Sequence, residues 1–431
     1  MTTKTPIAKK DPYRTSRISY IIEAALEYFI SLLITDAFLA TLLTRTGVPD
    51  AATGIITQIA SLSFSAQLNS VFFRKRTGVK RFVTVMHLLN QLMYVSLYFI
   101  PGLDFPQWFK VAAFVVMFSL GHLIASAAQP YKLTWLMSHV PDKSRGVFTA
   151  NKEIISLLGG MVFSFVMGSL VDHYEAIGKE DTGFMLCGIT IFALAILHLI
   201  TLIIVKEKPE HASDTKKVGF VEAIRNTFSN KALFKITLVD ILWHICTGIA
   251  ISFYGVYKTN DLGFSLKLVA TLVAVRSITR ALVSRFFGKL ADKYSWAKML
   301  TVSFGFAGMA FLVNVFTVPA NGVFTFAIFE CLYGISMAGI NSGLMNITFD
   351  YVPHEDRAAA LGVKYAVGGF TSFFAALIGA VIVDNIQGAG NRLFGMEIYA
   401  QQVLSLIAAI ITGLLVLYIV KVIFDLKKEE N

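Results

Sequence analysis

The sequence predicts an all-α membrane protein of twelve transmembrane helices in two six-helix bundles. Of its 431 residues, 55% are hydrophobic and only 15% are charged, whereas soluble domains carry about 25% charged residues. Apolar runs of about 18 residues or more, enough to cross a bilayer, recur along the whole chain. The segment at residues 140–152 reappears 212 residues later, which indicates two copies of one bundle.

Twelve apolar runs, separated by polar breaks, predict the spans in order. Residues 1–205 are predicted to form the first bundle and residues 232–431 the second, with 206–231 as a cytoplasmic linker. Within the linker, Phe220, Ile224 and Phe228 share one helical face, which favours an amphipathic helix on the membrane surface; a plain tether is the alternative. The predicted spans are 18–44, 50–73, 82–101, 108–130, 146–172, 183–205, 232–257, 263–286, 298–318, 321–349, 357–385 and 400–424.

The basic residues predict the orientation, because cytoplasmic loops collect Lys and Arg. The segment RKRTGVKR, residues 74–81, lies between the second and third spans, and other basic clusters alternate with it along the chain. Opposite loops hold single charges such as Arg45 and Lys258. Both termini are therefore predicted to be cytoplasmic, in a bacterial plasma (inner) membrane. The net charge of +10 follows from this bias, so the lipid bilayer, and no nucleic acid, is the expected partner.

The repeated segment reads VPDKSRGVFTANK at 140–152 and VPHEDRAAALGVK at 352–364. Each copy lies at the predicted cytoplasmic start of the fifth span of its half. Asp172 and Asp384 are related by the same offset. Parallel repeats of this kind occur in transporters, whose solute site lies near the midplane between the halves.

The loop between the eighth and ninth predicted spans reads FGKLADKYSWAK. It resembles the cytoplasmic loop signature of the major facilitator superfamily, Gly-x-Leu-Ala-Asp-Arg-x-Gly-Arg-Lys. Gly288 and Asp292 match the signature and Lys293 stands for its Arg, but Ser295 replaces the second Gly and the first-half loop lacks the Asp. The resemblance implies the superfamily fold and alternating access, with Gly288 and Asp292 holding the cytoplasmic side closed. A simple loop-stabilising role is the alternative.

Ionisable residues inside spans are informative, because a charge at the bilayer centre costs about 2.5–3.5 kcal/mol or more. Glu27 is the stronger first-half candidate for proton or cation coupling, since Glu23 lies nearer the cytoplasmic end. In the second half, charged and polar groups fall near mid-membrane; they either line the solute cavity or form a structural network in which Asp240 or Glu330 neutralises Arg276. The candidates for solute binding or ion coupling are Glu27, Glu23, Asp240, Trp243, His244, Arg276 and Glu330.

Lys152 and Lys364 occupy matching apolar positions of the repeat. They are predicted to pair with acids of the opposite half, with Asp292 as a candidate partner for Lys152. The alternatives are snorkelling to the cytoplasmic surface and a shared anion site. The candidate gating residues are Asp292, Gly288, Lys152, Lys364, Arg145 and Arg357.

The predicted function is secondary active transport of a small polar solute, namely a sugar, a sugar acid or another organic anion. The expected coupling ion is a proton or sodium, with proton symport favoured. The alternatives are a multidrug or metabolite efflux antiporter and a non-transporting membrane sensor. The resemblance implies that a drug antiporter of this superfamily would carry an Arg in the fourth span; this span offers His122 but no Arg, which disfavours efflux. Scattered His residues and three Cys within apolar runs predict no enzyme activity, metal site or cofactor.

Overall fold

The structure is a computed structural model that describes residues 11–66, 78–141, 145–207, 224–225, 228–352, 357–393 and 395–426. Helices dominate these residues, and a short antiparallel hairpin of β1 (Arg392–Leu393) and β2 (Met396–Glu397) is added near the end. The α-helices are α1 Arg14–Leu33, α2 Asp36–Thr46, α3 Asp50–Thr57, α4 Ile59–Ser63, α5 Val79–Leu97, α6 Gln107–Met137, α7 Arg145–Ala176, α8 Glu180–Ile204, α9 Lys231–Cys246, α10 Ser252–Val256, α11 Leu266–Lys293, α12 Trp296–Asn314, α13 Gly322–Phe349, α14 Arg357–Gly388 and α15 Ala400–Tyr418.

Most of these helices are long and apolar enough to cross a membrane. In the described part of the chain, 8 spans qualify, or 9 if the bent pair α1 and α2 counts as one. Helices α3 and α4 are short, and α5 and α11 carry more polar residues. The multi-pass membrane fold is therefore confirmed, while the count of twelve in a 6+6 arrangement stays a prediction. Most of the predicted amphipathic linker helix lies outside the described residues.

The sequence repeat corresponds to two matching helices. Helix α7 has 32 residues, and α14, also of 32 residues, begins and ends 212 positions later. Helices α6 and α13, which precede them, end at Met137 and Phe349, again 212 apart. The offset is therefore an offset in structure from the end of α6 to the end of α7.

A break between α1 and α2 bends the first span by 45°. Asp36 begins α2 with a positive φ of 50°, a conformation that Asp tolerates better than most residues. At the break, the Ser31 carbonyl oxygen accepts from the Thr35 hydroxyl at 2.9 Å and from the Ile34 N–H at 3.2 Å. The bend directs Asp36 toward the second half of the chain.

The segment after α9 is also irregular. A π-helical turn, Thr247–Ile251, leads into α10, and a second one, Tyr257–Asp261, follows it. Such turns insert an extra residue into a helix and recur at functional sites. Together these pieces form one apolar span, Lys231–Asp261.

The residues before and after the linker meet along three sets of helices. Helix α7 packs on α11, α14 packs on α3 and α4, and α10 packs on α2 and α3. We call the side of the molecule where α1 begins the amino-terminal face, and the other side the opposite face. Helix α9 starts at the amino-terminal face and α11 starts at the opposite face. Helix α10, which follows α9, and the start of α11 therefore lie toward the opposite face.

Candidate functional site

A buried lysine organises the interior of the first half. The Lys132 ammonium on α6 lies 3.0 Å from the Glu23 carboxylate of α1 and also contacts the Glu27 carboxylate, one turn later. Lys132 and Glu23 are both buried, although Glu23 lies nearer the predicted cytoplasmic end of its span. Only Glu27 keeps an exposed part, 36% of its side chain.

Two histidines extend this cluster. The His198 ring on α8 lies 3.0 Å from Glu23 Oε1 through Nε2 and 2.7 Å from the Gln91 amide through Nδ1. His87 of α5 is buried, and its Nδ1 is 3.9 Å from Glu27 Oε1. Neither ring nitrogen of His87 has a hydrogen-bond partner among the described residues. Glu23 therefore has two cationic or donor partners, and Glu27 has one close partner.

Lys132, His198 and Gln91 are absent from the sequence-based candidates. The predicted fourth span ends at Pro130, whereas α6 continues through that proline to Met137, so Lys132 lies inside the helix. The usable signal is the apolar pair Trp135 and Leu136 beyond the proline, because a proline does not always end a helix that its neighbours support.

In the second half, the structure brings Arg276 and Glu330 together. Arg276 Nε of α11 is 3.5 Å from Glu330 Oε2 of α13, and the Arg276 guanidinium lies 5.9 Å from the Tyr333 ring centre. Glu330 is buried, whereas 29% of the Arg276 side chain is exposed. The pair matches one of the two expected arrangements, in which Glu330 neutralises Arg276.

Asp240 has a different partner. Its Oδ1 lies 3.7 Å from the Lys364 ammonium of α14, and its Oδ2 lies 3.5 Å from His244 Nδ1. Lys364 also donates to the Leu344 carbonyl at 2.9 Å and to the Thr348 hydroxyl at 2.8 Å. The expectation that Lys364 pairs with an acid of the opposite half is wrong, because α14 turns this buried side chain toward its own half.

The two buried lysines occupy equivalent places through different helices. Leu344, whose carbonyl oxygen holds the Lys364 ammonium, lies 212 residues after Lys132. Each half thus places one ammonium beside an acid of its first helix, from α6 in one half and from α14 in the other. Lys152, the sequence counterpart of Lys364, instead lies over the Tyr20 ring at 5.0 Å.

Trp243 belongs to an aromatic core. It is buried, and its ring lies 5.3 Å from Phe304 and 6.4 Å from Tyr333. Among the predicted binding residues it is therefore a core residue that packs on Tyr333.

A pocket opens between the halves at Arg276. Apolar side chains supply most of its wall, and Asp36 and Arg276 supply its charges. Its lining residues are Leu32, Thr35, Asp36, Ala37, Phe38, Ser164, Leu266, Val269, Ala270, Val273 and Arg276. Asp36 is held at 2.7 Å by the buried Lys258 ammonium, so Arg276 is the pocket's less engaged charge.

The opposite face is closed by contacts between the halves. Asp172 accepts hydrogen bonds from the backbone N–H groups of Leu266 and Lys267, at 2.9 Å each. The Asp50 carboxylate accepts from Asn260 at 2.8 Å and from Gln387 at 3.0 Å. These bonds join α3 and α7 of the first half to the second half.

Closer to the centre, Gln58 bridges the halves. Its amide nitrogen lies 2.7 Å from the Ser252 hydroxyl, and its amide oxygen lies 2.6 Å from the Ser372 hydroxyl. One residue of the first half thus links α10 and α14 of the second half.

The family model described as Major Facilitator Superfamily matches residues 18–329 and 244–430. The chain belongs to the major facilitator superfamily. It is also 27% identical, over 231 residues, to an uncharacterized MFS-type transporter of Methanocaldococcus jannaschii. That alignment covers 52% of this chain and 53% of the relative, about half the relative's own length.

Solved structures of transporters share the fold of this superfamily member. The nucleoside transporter NupG aligns with a TM-score of 0.73 at 12% identity, covering 96% of this chain and 100% of that one. An auto-inhibited peptide transporter of the POT family gives 0.73 at 13% identity, covering 96% and 98%. A bacterial homologue of the human lysosomal transporter Spinster, inward-facing and unoccupied, gives 0.69 at 16% identity, covering 96% and 98%.

The superfamily loop between α11 and α12 is short and exposed. Helix α11 ends at Lys293, and Ser295 is the N-cap of α12, accepting from the Lys298 N–H at 3.2 Å. Ser295 therefore caps this helix at the position where the signature has its second Gly. Asp292 and Gly288 are exposed.

The expected Lys152–Asp292 pair is not formed. Lys152 lies over Tyr20, and none of the described residues forms an ion pair with Asp292. Arg145 and Arg357 begin α7 and α14, but their side chains lie outside the described part of the structure. Helix α11 instead pairs with the first half through Arg280, which lies 3.5 Å from Glu153. Metal-binding groups of three or more His, Cys, Asp or Glu are absent from the described residues.

Proposed function

We propose that the protein is a secondary transporter that carries a small organic solute with an anionic group, by alternating access and with proton symport. Membership of the superfamily supports transport as such. The solute class, the coupling ion and the direction are our inference from the charges between the halves.

The observation that carries the solute class is the state of the Arg276 guanidinium. It lines the pocket between the halves and has five N–H donors, yet it donates no hydrogen bond to a described residue; its one ion pair, with Glu330, is a 3.5 Å contact through Nε. A guanidinium with free donors in a confined site favours a carboxylate or phosphate. The apolar remainder of the pocket suits the hydrocarbon part of such a solute.

The distribution of contacts supports an alternating-access cycle. The hydrogen bonds and ion pairs of Asp36, Asp50 and Asp172 join the halves at the opposite face, whereas Asp292 is exposed at the amino-terminal face. With both termini cytoplasmic, as the basic loops predict, this arrangement corresponds to an inward-facing state. We propose that residues 1–205 and 232–431 rock against each other about the pocket.

The experiment is a thermal-shift screen of the purified protein, followed by uptake into proteoliposomes with an imposed pH gradient. The panel contains monocarboxylates, sugar acids, amino acids, nucleosides and neutral sugars. A solute that binds only the folded state at about 100 times its Kd stabilises it by about 2.7 kcal/mol. We expect anionic members to raise the melting temperature and their uptake to increase when the outside is acidic.

The variants test the role of Arg276. Arg276→Gln should abolish the shift. Arg276→Lys keeps a positive charge beside Glu330 but loses the fork geometry, so it should only weaken the shift. Arg285→Gln, an exposed arginine on the same helix, is the control and should bind normally. Stabilisation by neutral solutes alone, unchanged in Arg276→Lys, would contradict the proposed solute class.

A further inference from the structure

We propose that the coupling proton is carried by Asp240, that the partly exposed His244 conducts it to this buried carboxylate, and that the first-half acids Glu23 and Glu27 do not carry it. The inference rests on the proposed proton symport, and it assigns the step to a specific pair, Asp240 and Lys364. The test below needs no solute, so it stands or fails separately from the solute class.

Asp240 is a buried carboxylate with an incomplete set of partners. It is 3% exposed, and its Oδ2 has no hydrogen-bond partner among the described residues. Lys364 is 3.7 Å from Oδ1, beyond hydrogen-bond distance, because two of its three donors are directed to Leu344 and Thr348. A buried carboxylate oxygen without a donor is costly, and binding a proton removes that cost.

His244 connects this buried carboxylate to exposed surface. Its Nδ1 is 2.8 Å from the Asp240 backbone oxygen and 3.5 Å from Oδ2, while 24% of its side chain is exposed. In the proposed step Nε2 of the imidazole takes a proton from hydronium, which leaves as water, and Nδ1 releases its proton to Asp240 Oδ2, so the ring ends as the Nε2–H tautomer. The ring returns to its neutral form, and the carboxylate becomes a neutral carboxyl group.

Gly368 makes room for this ring. It lies one turn after Lys364 on α14, and a Cβ at this position would come within 2.7 Å of His244 Cε1. The His244 ring therefore occupies the space that a larger residue would fill. Gly368 is a positioning residue for the proton path.

The surroundings of Asp240 contain few other ionisable groups. In the part of the chain that is described, they are His244 on α9 and Lys364 with Tyr365 on α14. Helix α13 contributes the neutral Leu344 carbonyl and Thr348 hydroxyl, and α15 faces α9 with Thr412 at Cys246. Lys364 is thus the only described cation within salt-bridge distance of Asp240 that does not depend on protonation of a histidine.

The acids at the equivalent place in the first half have closer partners. Lys132 contacts two carboxylates where Lys364 has one, and Glu23 also receives His198. Removing charge from Glu23 or Glu27 would break close contacts, whereas protonating Asp240 releases only a loose one. Each half therefore contains a buried pair of a lysine and an acid. The pair of the first half is held by several close contacts, whereas the pair of the second half is held by one longer contact that protonation can release.

Protonation at Asp240 would reach the interface between the halves through α14. Neutral Asp240 no longer attracts Lys364, and the same helix contacts α4 at Gly369, where a Cβ would lie 2.2 Å from the Ser61 carbonyl oxygen. Ser372, also on α14, holds Gln58 of the first half. A change in how α14 packs on α9 is thereby transmitted to the contact between halves.

The test is infrared difference spectroscopy of the purified full-length protein between about pH 5 and about pH 8, the range in which a histidine changes charge. The readout is the carbonyl stretch of a protonated carboxylic acid, which a carboxylate lacks. All spectra are taken in an Asp261→Asn background, because Asp261 Oδ2 also lacks a hydrogen-bond partner among the described residues. In that background we expect one such band, its loss in Asp240→Asn and its retention in Glu27→Gln. Because Asp240→Asn leaves Lys364 buried without an acid, Asp240→Asn with Lys364→Met is measured as well, and the band should again be lost.

The kinetic prediction separates conduction from structure. After a rapid pH drop, His244→Gln and Gly368→Ala should form the same final band about 10²-fold more slowly, the scale of a lost proton-transfer group. A spectrum of the Asp261→Asn background without a pH-dependent carboxyl band would overturn the proposal. So would a band that survives in both Asp240 variants, or one that disappears in Glu27→Gln.

Discussion

The Asp172 carboxylate lies against the first turn of α11, where its Oδ1 accepts the Leu266 N–H at 2.9 Å. Asp172 belongs to α7 of the first half, and Leu266 begins a helix of the second. A carboxylate at a helix amino terminus satisfies free N–H groups and the helix dipole together. Gly168, one turn earlier on α7, admits this approach, since a Cβ there would lie 2.8 Å from the Leu266 carbonyl carbon.

Removing the Asp172 carboxylate should therefore loosen the opposite face. Each hydrogen bond to a charged group contributes about 1.5–3 kcal/mol, so Asp172→Ala should shift the population toward an opened opposite face. The measurement is the distance between spin labels at Ile177→Cys and Phe316→Cys, both exposed on that face, with the native cysteines replaced. Asp384→Ala is the control, because Asp384 is the exposed repeat counterpart; equal effects in both variants would contradict the role of Asp172.

The Lys132 cluster should be a major source of stability. Lys132→Met leaves Glu23 buried without its cation, and breaking one partner of a buried pair costs about 3–5 kcal/mol. Lys152→Met should cost only about 0.5–1 kcal/mol, since Lys152 makes a cation–π contact with Tyr20. Unfolding in detergent, followed by circular dichroism, gives both values; similar losses would contradict the distinction between the two lysines.

The close approach of α14 to α4 should require glycine at 369. A Cβ at this position would lie 2.2 Å from the Ser61 carbonyl oxygen, so Gly369→Ala forces the helices apart. The distribution of distances between the spin labels at Ile177→Cys and Phe316→Cys should then broaden. Gly413→Ala on α15 has open space around it and should stabilise the helix by about 0.5–1 kcal/mol. An unchanged distance in Gly369→Ala would show that α4 yields without moving the halves.

The Asp36–Lys258 pair should hold the pocket closed from the opposite face. Asp36→Asn keeps the positive φ, which Asn tolerates, but it leaves the buried Lys258 unpaired. Labelling of Ala270→Cys, a pocket residue, by an impermeant maleimide from that face should then accelerate about tenfold for each 1.4 kcal/mol lost. Asp36→Asn with Lys258→Met should restore slow labelling, and a slow rate in Asp36→Asn alone would contradict the prediction.

Regular features of the fold could be predicted from the sequence. Apolar runs gave helix limits close to those of α7, α13 and α14, because the length of a span is set by the bilayer and polar breaks end it. The break at Asp36 and the π-helical turns around α10 could not be predicted, since they depend on contacts between halves.

Partners of buried charges were the harder part of the site. Arg276 and Glu330 were expected at one level by helical rise, and they meet. Asp240 was considered for Arg276 and binds Lys364 instead, because the rotation of each helix about its axis decides which neighbour a side chain faces. Lys258 was taken as a loop charge, although the irregular helix carries it inward to Asp36.

The equivalent places of the Lys132 and Lys364 ammonium groups bear on how the two halves descend from one unit. A sequence alignment of the halves pairs Lys364 with Lys152, yet the charge that corresponds to it in space comes from another helix. The internal symmetry has thus been retained in the electrostatic field and lost in the residues that generate it. An ancestral reconstruction guided only by matched positions would join two lysines with unrelated roles.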